Sequence, residues 1–312
     1  MIMKASELQK EYKSYLVFRN YRPHTIKAYT KIIQHFFSYC QTAKKTNQSL
    51  QSIHDYAKSY LTKRLSDGRS WSSVNMDYSA LMILCRHVLH VDWSYELIPR
   101  PRTLKKLPQV LSPHEIEKMI NGIKNLKHKT IVLLLYTSGI RSSELVNLDI
   151  ADVCMDRHQL HIRLGKGGKD RLVQIPAITL EFIRGYLWKY KPKQYLFEGQ
   201  GKSSRYSSTS IRQIVYKAAQ RQGITKRVNT HCLRHSYATH HIMGGTDLIS
   251  LKKQMGHGTI STTISYIHLC SSWVQHIKHP VNELQIHSPI SMASATSSEN
   301  TQKLTSVNIG PV

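Results

Sequence analysis

Residues 98–108, Ile-Pro-Arg-Pro-Arg-Thr-Leu-Lys-Lys-Leu-Pro, constrain this chain more than any other stretch of it. Three prolines and four basic residues in eleven positions cannot form a helix interior. Each proline lacks an N–H donor and its ring clashes with the preceding turn. The run reads as an extended basic linker, assigned to 96–106, between folding units at 1–95 and 107–287. A chain of 312 residues is long enough for about two domains at roughly 150 residues each. With 40% hydrophobic residues both can build cores, which excludes collagen-like, mucin-like and disulfide-framework proteins.

The first unit is patterned as helices. Leu8, Tyr12, Tyr15 and Leu16 recur at helical spacing, and Tyr21-Arg22-Pro23 breaks the pattern. A second segment, opening at His24 or Thr25, runs through Ile26, Tyr29, Ile33, Phe36 and Phe37. A third carries Ile53, Tyr56, Tyr60 and Leu61 and stops at Ser66-Asp67-Gly68. A fourth, from about Ser72, carries Val74, Met76, Tyr78, Leu81, Ile83 and Leu84. The expectation is a bundle of about four helices.

The second unit is mixed. Ser112-Pro113-His114-Glu115 is a helix start, with a capping serine, proline at the first position and glutamate at the third. An apolar helix over 130–137 breaks at Gly139. Two alternating runs, 159–164 and 171–175, flank Gly165-Lys166-Gly167-Gly168-Lys169-Asp170, a hairpin turn. Helices are expected near 176–190, 208–222, 232–243, 246–255 and 261–277. Gly256 is placed to end one of these as a left-handed cap, and Ser261 to cap the next, with Tyr266 on its second turn. Residues 288–312, rich in Ser, Thr and Asn, read as a polar, disordered tail.

Lys and Arg number 44 against 19 Asp and Glu, a formal net charge of +25. The tail holds one Glu299 and one Lys303, so the excess falls on residues 1–287. Such a surplus points to a polyanionic partner, with nucleic acid ahead of an anionic membrane surface. The five cysteines form no C-x-x-C pair, which fits a reducing cytoplasm and argues against a cysteine zinc site. The longest apolar run, Ile131 to Tyr136, is far short of the ~20 residues that span a bilayer. A soluble cytoplasmic protein is expected.

Four islands carry reactive residue types: Thr137-Ser138-Gly139-Ile140-Arg141-Ser142-Ser143-Glu144-Leu145, the lysine-bearing hairpin tip, His231-Cys232-Leu233-Arg234-His235, and Gly256-His257 with Tyr266 nine positions on. Taken singly each is ordinary. An arginine beside Glu144 is usually a surface ion pair, a lysine in a glycine-rich turn is usually solvated, and one tyrosine among 17 usually packs. His231 and His235 are spaced as zinc ligands can be, but Cys232 stands where the zincin pattern needs glutamate. His240 and His241 match no catalytic position and are expected at the surface or facing DNA.

In order and spacing, however, the islands resemble the tyrosine recombinase (phage integrase) family, whose arginine box, G-K-G-x-K-x-R hairpin, H-x-L-R-H box and L-G-H box with a tyrosine nine residues later are all matched. Asn20 to Tyr29, NYRPHTIKAY, resembles that family's N-terminal DNA-binding domain. Cys232, Met255 and Ile267 depart from common family residues without removing a reactive group. The resemblance implies a mainly α fold with a small antiparallel β-sheet, its helical core-binding domain and α+β catalytic domain forming a C-shaped clamp on duplex DNA. It implies a catalytic set of Arg141, Lys166, His231, Arg234, His257 and Tyr266, with Lys169 a neighbour of Lys166 on the same turn.

In the implied chemistry Tyr266 attacks a phosphodiester to give a 3′-phosphotyrosyl link and a free 5′-hydroxyl. Arg141 and Arg234 hold the charged oxygens, and His257 supports them. His231 takes the phenol's proton, and Lys166 protonates the leaving oxygen. No metal or cofactor is called for, because the covalent link conserves the bond energy for religation. The implied partners are duplex DNA with specific recombination sites and a homotetramer, or hetero-tetramer, assembled on it, with no membrane. Residues from Trp273 to about His287 are implied to pack on a neighbouring protomer. The start of the chain, lying directly at the core-binding pattern, suggests a simple recombinase without an arm-binding domain. Integration or excision of a mobile element, or Xer-like resolution, is the implied role. The rivals are a type IB topoisomerase-like relaxer and a non-catalytic DNA-binding regulator on the same fold.

Overall fold

The computed structural model describes residues 5–45, 52–102, 108–163, 170–199 and 204–267, with no account of the side chains of 44 and 45. Lys166, Lys169, the segment from Trp273 to His287 and the polar tail lie outside the described residues. The chain divides into two compact units, 1–106 and 107–312.

The first unit holds α1 (Ala5–Phe18), α2 (Pro23–Lys45), α3 (Ile53–Ser66) and α4 (Trp71–His87). Their ends are set locally. Asn20 takes a left-handed conformation at φ 54° between α1 and α2, and Ser52 with Asp55 forms a capping box on α3. Ser70 caps α4, so this helix starts one residue before the expected Ser72. Tyr12, Leu16, Ile33, Phe36, Tyr60, Leu81 and Leu84 fill the core. Met76, expected with the apolar face of α4, is exposed.

The residues after α4 are not a free connector. Trp93 Nε1 donates to the Tyr78 hydroxyl at 2.8 Å, which donates to the Ile98 carbonyl at 3.2 Å. Ile98 is itself buried in the bundle core, and Asn75 donates to the Pro101 carbonyl at 2.9 Å. α4 ends at His87, well before the first of these prolines, and the chain stays on the bundle as far as Pro101. An apolar Ile98 and available acceptors favour packing over solvation at this point.

In the second unit α5 (Pro113–Asn121) begins with the anticipated Ser112–Glu115 capping box. Next comes α6 (Leu126–Ser138), whose Ile131, Val132, Leu134 and Leu135 are all buried. A helix apolar on every side belongs at the centre of a unit, and α6 packs against α5, α8 (Ala177–Tyr190), α9 (Ser208–Arg221) and α10 (Thr230–Met243). Between them lie α7 (Ser142–Val146), one 3₁₀ turn, and an antiparallel sheet in the order β1 (Val153–Cys154), β2 (Gln159–Ile162), β3 (Arg171–Gln174). Leu160 pairs with Val173 and Ile162 with Arg171. The period of two turns Leu160, Ile162 and Val173 into the core and gives Arg171 the same face as Val173. The last helices among the described residues are α11 (Leu248–Met255) and α12 (Ile260–Ile264).

α12 corrects two expectations. Its N-cap is Thr259 rather than Ser261. It ends at Ile264, with Ser265 as C-cap, so Tyr266 follows the helix instead of sitting on its second turn. The tyrosine belongs to a satellite apolar cluster with Tyr237, Ala238, Ile242, Leu251 and Met255, separate from the main core. No described helix is long and apolar enough to cross a membrane.

Candidate active site

The site starts from the way α6 stops. Gly139 adopts φ +60°, a left-handed conformation that L side chains rarely take. The reversal buries Ile140 and delivers Arg141 as the N-cap residue of α7. A Cβ on Gly139 would lie 2.4 Å from Cδ1 of the buried Tyr237 ring. Gly139→Ala combines backbone strain with overpacking and is expected to destabilise the second unit by about 2–4 kcal/mol, read as a lower urea midpoint.

Glu144, at the third position of α7, gathers two guanidiniums. It accepts from the Arg141 backbone N–H at 2.8 Å and from Arg141 Nη1 at 2.9 Å. Arg171 grips it as a fork, Nη2 to Oε2 at 2.8 Å and Nη1 to Oε1 at 3.1 Å. Far from a surface pair, Glu144 is 9% exposed. Burial alone would raise its pKa, but the hydrogen bond from Arg171, that from the Arg141 backbone and both positive charges hold the carboxyl down at about 2.

Arg171 Nε also donates to the Gln254 carbonyl at 3.0 Å, near the end of α11. Gly256, at φ +63°, ends that helix as expected, and a Cβ there would meet the Arg171 guanidinium at 2.9 Å. Arg141 Nη2 reaches the Gly256 carbonyl at 3.5 Å.

Arg234, on α10, is 4% exposed. Its terminal nitrogens donate to the carbonyls of Met255, at 2.7 Å, and Gly139. These are acceptors at the C-terminal ends of α11 and α6, where helix dipoles present partial negative charge. Burial first, then the neighbouring Arg141, lowers the Arg234 pKa to about 10. The cluster therefore brings three guanidiniums to one carboxylate, a surplus of positive charge suited to an anion with several oxygens.

Against this floor stand His257 and Tyr266. His257 is buried, its Nδ1 2.9 Å from Thr263 Oγ1. Its ring stacks on Tyr266 at 6.0 Å and 22°. Tyr266 is 5% exposed. Burial raises its pKa, opposed by the charge and hydrogen bonding of Arg234 and the charge of Arg141. The structure thus brings Arg141, Arg234, His257 and Tyr266 together. His231 stands at the exposed start of α10, where its N–H caps onto Asn229 Oδ1 at 2.8 Å. Partial burial, then Arg234 and Arg141, lowers its pKa.

Three residues outside the expected set are built into this site: Glu144, Arg171 and His235. Arg171 closes the hairpin motif, and its alternation with Val173 was a readable signal of an inward side chain. His235 was readable only as the last letter of the H-x-L-R-H box. His240 and His241, expected at the surface or facing DNA, are half-buried and have internal partners: Nδ1 of His240 lies 2.9 Å from the Tyr136 hydroxyl and Nδ1 of His241 3.0 Å from Thr246 Oγ1.

Comparison with known proteins identifies the family of the chain. Residues 109–272 match the phage integrase family, and residues 8–95 match the phage integrase N-terminal SAM-like domain. The chain is 31% identical over 286 residues to the tyrosine recombinase XerA of Pyrococcus horikoshii, covering 90% of this chain and 94% of that protein. It is 32% identical over 276 residues to a tyrosine recombinase of Thermosipho africanus, covering 85% and 95%. Among solved structures, the XerH site-specific recombinase bound to its difH substrate before cleavage superposes with a TM-score of 0.68 at 23% identity, covering 88% of this chain and 84% of that one. With both of its units matched and its relatives spanned almost end to end, this chain belongs to the phage integrase family of tyrosine recombinases.

Proposed function

We propose that this protein cuts and rejoins duplex DNA at specific sites through a covalent 3′-phosphotyrosyl intermediate on Tyr266. The observation that carries the reading is the convergence of Arg141, Arg234, His257 and Tyr266 from the start of α7, from α10 and from the turns on either side of α12. The guanidiniums of Arg141 and Arg234 stabilise charge on the non-bridging oxygens as the pentacoordinate state forms, the largest contribution available to a phosphoryl transfer. His257 supports the same oxygens. Lys166, on the hairpin, protonates the departing 5′-oxygen. A base for the phenol comes from α10, which carries His231 and His235 one turn apart. The cationic excess on the two units supplies sequence-independent affinity for the phosphate backbone, which falls steeply as salt rises.

The name of the XerH complex describes a recombinase seated on its site. By that analogy this chain acts as a tetramer, of one or two kinds of protomer, on paired sites in the cytoplasm. It serves a mobile element or the resolution of chromosome dimers.

The test is covalent trapping. Duplexes recovered by binding from a randomised library are resynthesised with a nick just 3′ of each candidate scissile phosphate, so that the short product diffuses away. The wild-type protein is expected to accumulate a protein–DNA adduct that resists denaturant and is removed by protease. A plasmid bearing two such sites is expected to recombine. Relaxation of a plasmid lacking the sites would favour a topoisomerase-like activity, and binding without any adduct would favour a regulator.

A further inference from the structure

Helix α12 turns a hydroxyl inward and its isoleucines outward. Ile260 and Ile264 are 38% and 39% exposed, and of the five residues of the helix only Thr263 is buried. Valine has nearly the same shape and would anchor so short a helix without a polar group to bury. A buried hydroxyl costs stability unless it is hydrogen-bonded. The partner here is a residue of the site: Thr263 Oγ1 lies 2.9 Å from Nδ1 of the buried His257. The neighbouring Thr262 is exposed and pairs with Thr259 Oγ1, 3.1 Å away. The Thr263 main chain serves the site as well, its carbonyl accepting from the Tyr266 N–H at 3.1 Å. One residue thus holds the imidazole through its side chain and the turn carrying the tyrosine through its backbone.

We propose that Thr263 is a positioning residue for strand cleavage: its hydroxyl donates to His257 Nδ1 and keeps the ring's proton on Nε2, the nitrogen that meets a non-bridging phosphate oxygen. The inference rests on the reading of this site as a phosphotyrosyl-forming centre. A neutral imidazole carries one N–H, and the partner of one nitrogen decides which of the two has it. A carbonyl or carboxylate beside Nδ1 could only accept. It would draw the proton to Nδ1 and turn the Nε2 lone pair on an anion. A hydroxyl can donate, and donation leaves Nε2–H as the outward group.

The surroundings favour this neutral donor over an imidazolium. The floor of the site already brings Arg141, Arg171 and Arg234 to a single carboxylate, and a further cation beside them would be repelled. With Nδ1 pinned and the ring stacked on Tyr266, the donor is oriented before substrate arrives. It then needs no reorganisation as charge develops on the phosphate.

Thr263→Val keeps the shape and the backbone carbonyl and removes the hydroxyl alone. The adduct assay above is run at saturating DNA on wild type, Thr263→Val, Thr263→Ser, His257→Ala and the Thr263→Val/His257→Ala pair, with DNA affinity and melting temperature measured for each. Thr263→Val is expected to bind DNA like wild type and to melt within about 5 °C of it. Its adduct is expected to form about 10–100-fold more slowly, the usual scale for a group that orients another. Thr263→Ser, which retains the hydroxyl, is expected to recover most of the rate. In the His257→Ala background Thr263→Val is expected to add no further slowing, because it acts through that ring. Nitrogen NMR of histidine-labelled wild type, with His257 identified by its absence from His257→Ala, is expected to show a bare Nδ1 and a protonated Nε2.

A Thr263→Val rate within about threefold of wild type would overturn the proposal, since it falls below the scale of an orienting contact. So would an equal slowing on the His257→Ala background, or a loss in Thr263→Ser as large as in Thr263→Val, which would place the effect in packing. A protonated Nδ1 in resting wild type would overturn it without recourse to any variant's folding. Absence of adduct from wild type itself would instead sink the nucleophile assignment, and the role of Thr263 with it.

Discussion

Tyr266→Phe is expected to abolish the covalent adduct on the nicked duplex while leaving DNA affinity and fold close to wild type. The substitution removes one oxygen from a side chain that is buried for the sake of its ring: the face packs on His257 and the edge on His235. The phenylalanine ring keeps both contacts and its place in the satellite cluster with Leu251 and Met255. What is lost is the hydrogen bonding of one hydroxyl, with a net effect on stability of about 1 kcal/mol. The catalytic loss is of a different order, because in the proposed mechanism the Tyr266 oxygen is the atom that bonds to phosphorus. Gel-resolved adduct, melting temperature and binding isotherms on one preparation separate the two effects. An adduct that persists in Tyr266→Phe would show that another residue is the nucleophile.

The second large effect is expected at Glu144. Removing this carboxylate leaves Arg141 and Arg171 facing each other without their shared counter-ion. Breaking a buried pair by deleting one partner typically costs about 3–5 kcal/mol, so Glu144→Ala is expected to lower the stability of the second unit by that amount. Arg141 also loses the contact that orients it, and loss of one positioned donor in a transition-state cradle slows chemistry about 10²–10³-fold. Adduct formation should therefore fall even at temperatures where the variant stays folded.

The carboxyl's low pKa adds a pH signature with a definite sign. Held at about 2 in the folded protein against an ordinary 4.5, Glu144 contributes stability fully present above about pH 4.5 and lost as pH falls toward about 2, worth about 3 kcal/mol in all. The stability gap between wild type and Glu144→Gln, from urea titrations, is expected to be constant from pH 7 to about 5 and to narrow by more than half by about pH 3. A gap that stays constant over that range would mean the carboxylate is not held by the two arginines in solution.

Features decided within a few residues were legible in the sequence. The Ser112 capping box, the reversal at Gly139, the left-handed stop at Gly256 and the strand pair around the hairpin all depend on neighbours in the chain, and each lies where local chemistry puts it. Helix ends without a strong local signal moved. α12 begins at Thr259 without a side-chain cap and ends before Tyr266. The partners inside the site were not legible, because they are chosen by the fold. Arg171 meets Glu144 from 27 positions away and His235 meets Tyr266 from 31. Residue order and spacing mark which side chains matter. They do not say that the arginine beside Glu144 is buried, or which of two histidines on one helix touches the phenol.

The way the site is tied together also decides when in its life this molecule becomes able to cut. Arg234 is held by carbonyls at the ends of α6 and α11, Arg141 and Arg171 by a carboxylate on α7, and the tyrosine arrives only after α12. A chain emerging from the ribosome carries its arginine box long before it carries Met255, Gly256 or Tyr266. Until those residues dock, Arg234 lacks an anchor and the proposed nucleophile is missing. A half-made or partly melted copy can cling to DNA through its charge, yet it has no means of breaking a strand. For an enzyme whose reaction passes through a severed phosphodiester, the completeness of the fold serves as the safety catch.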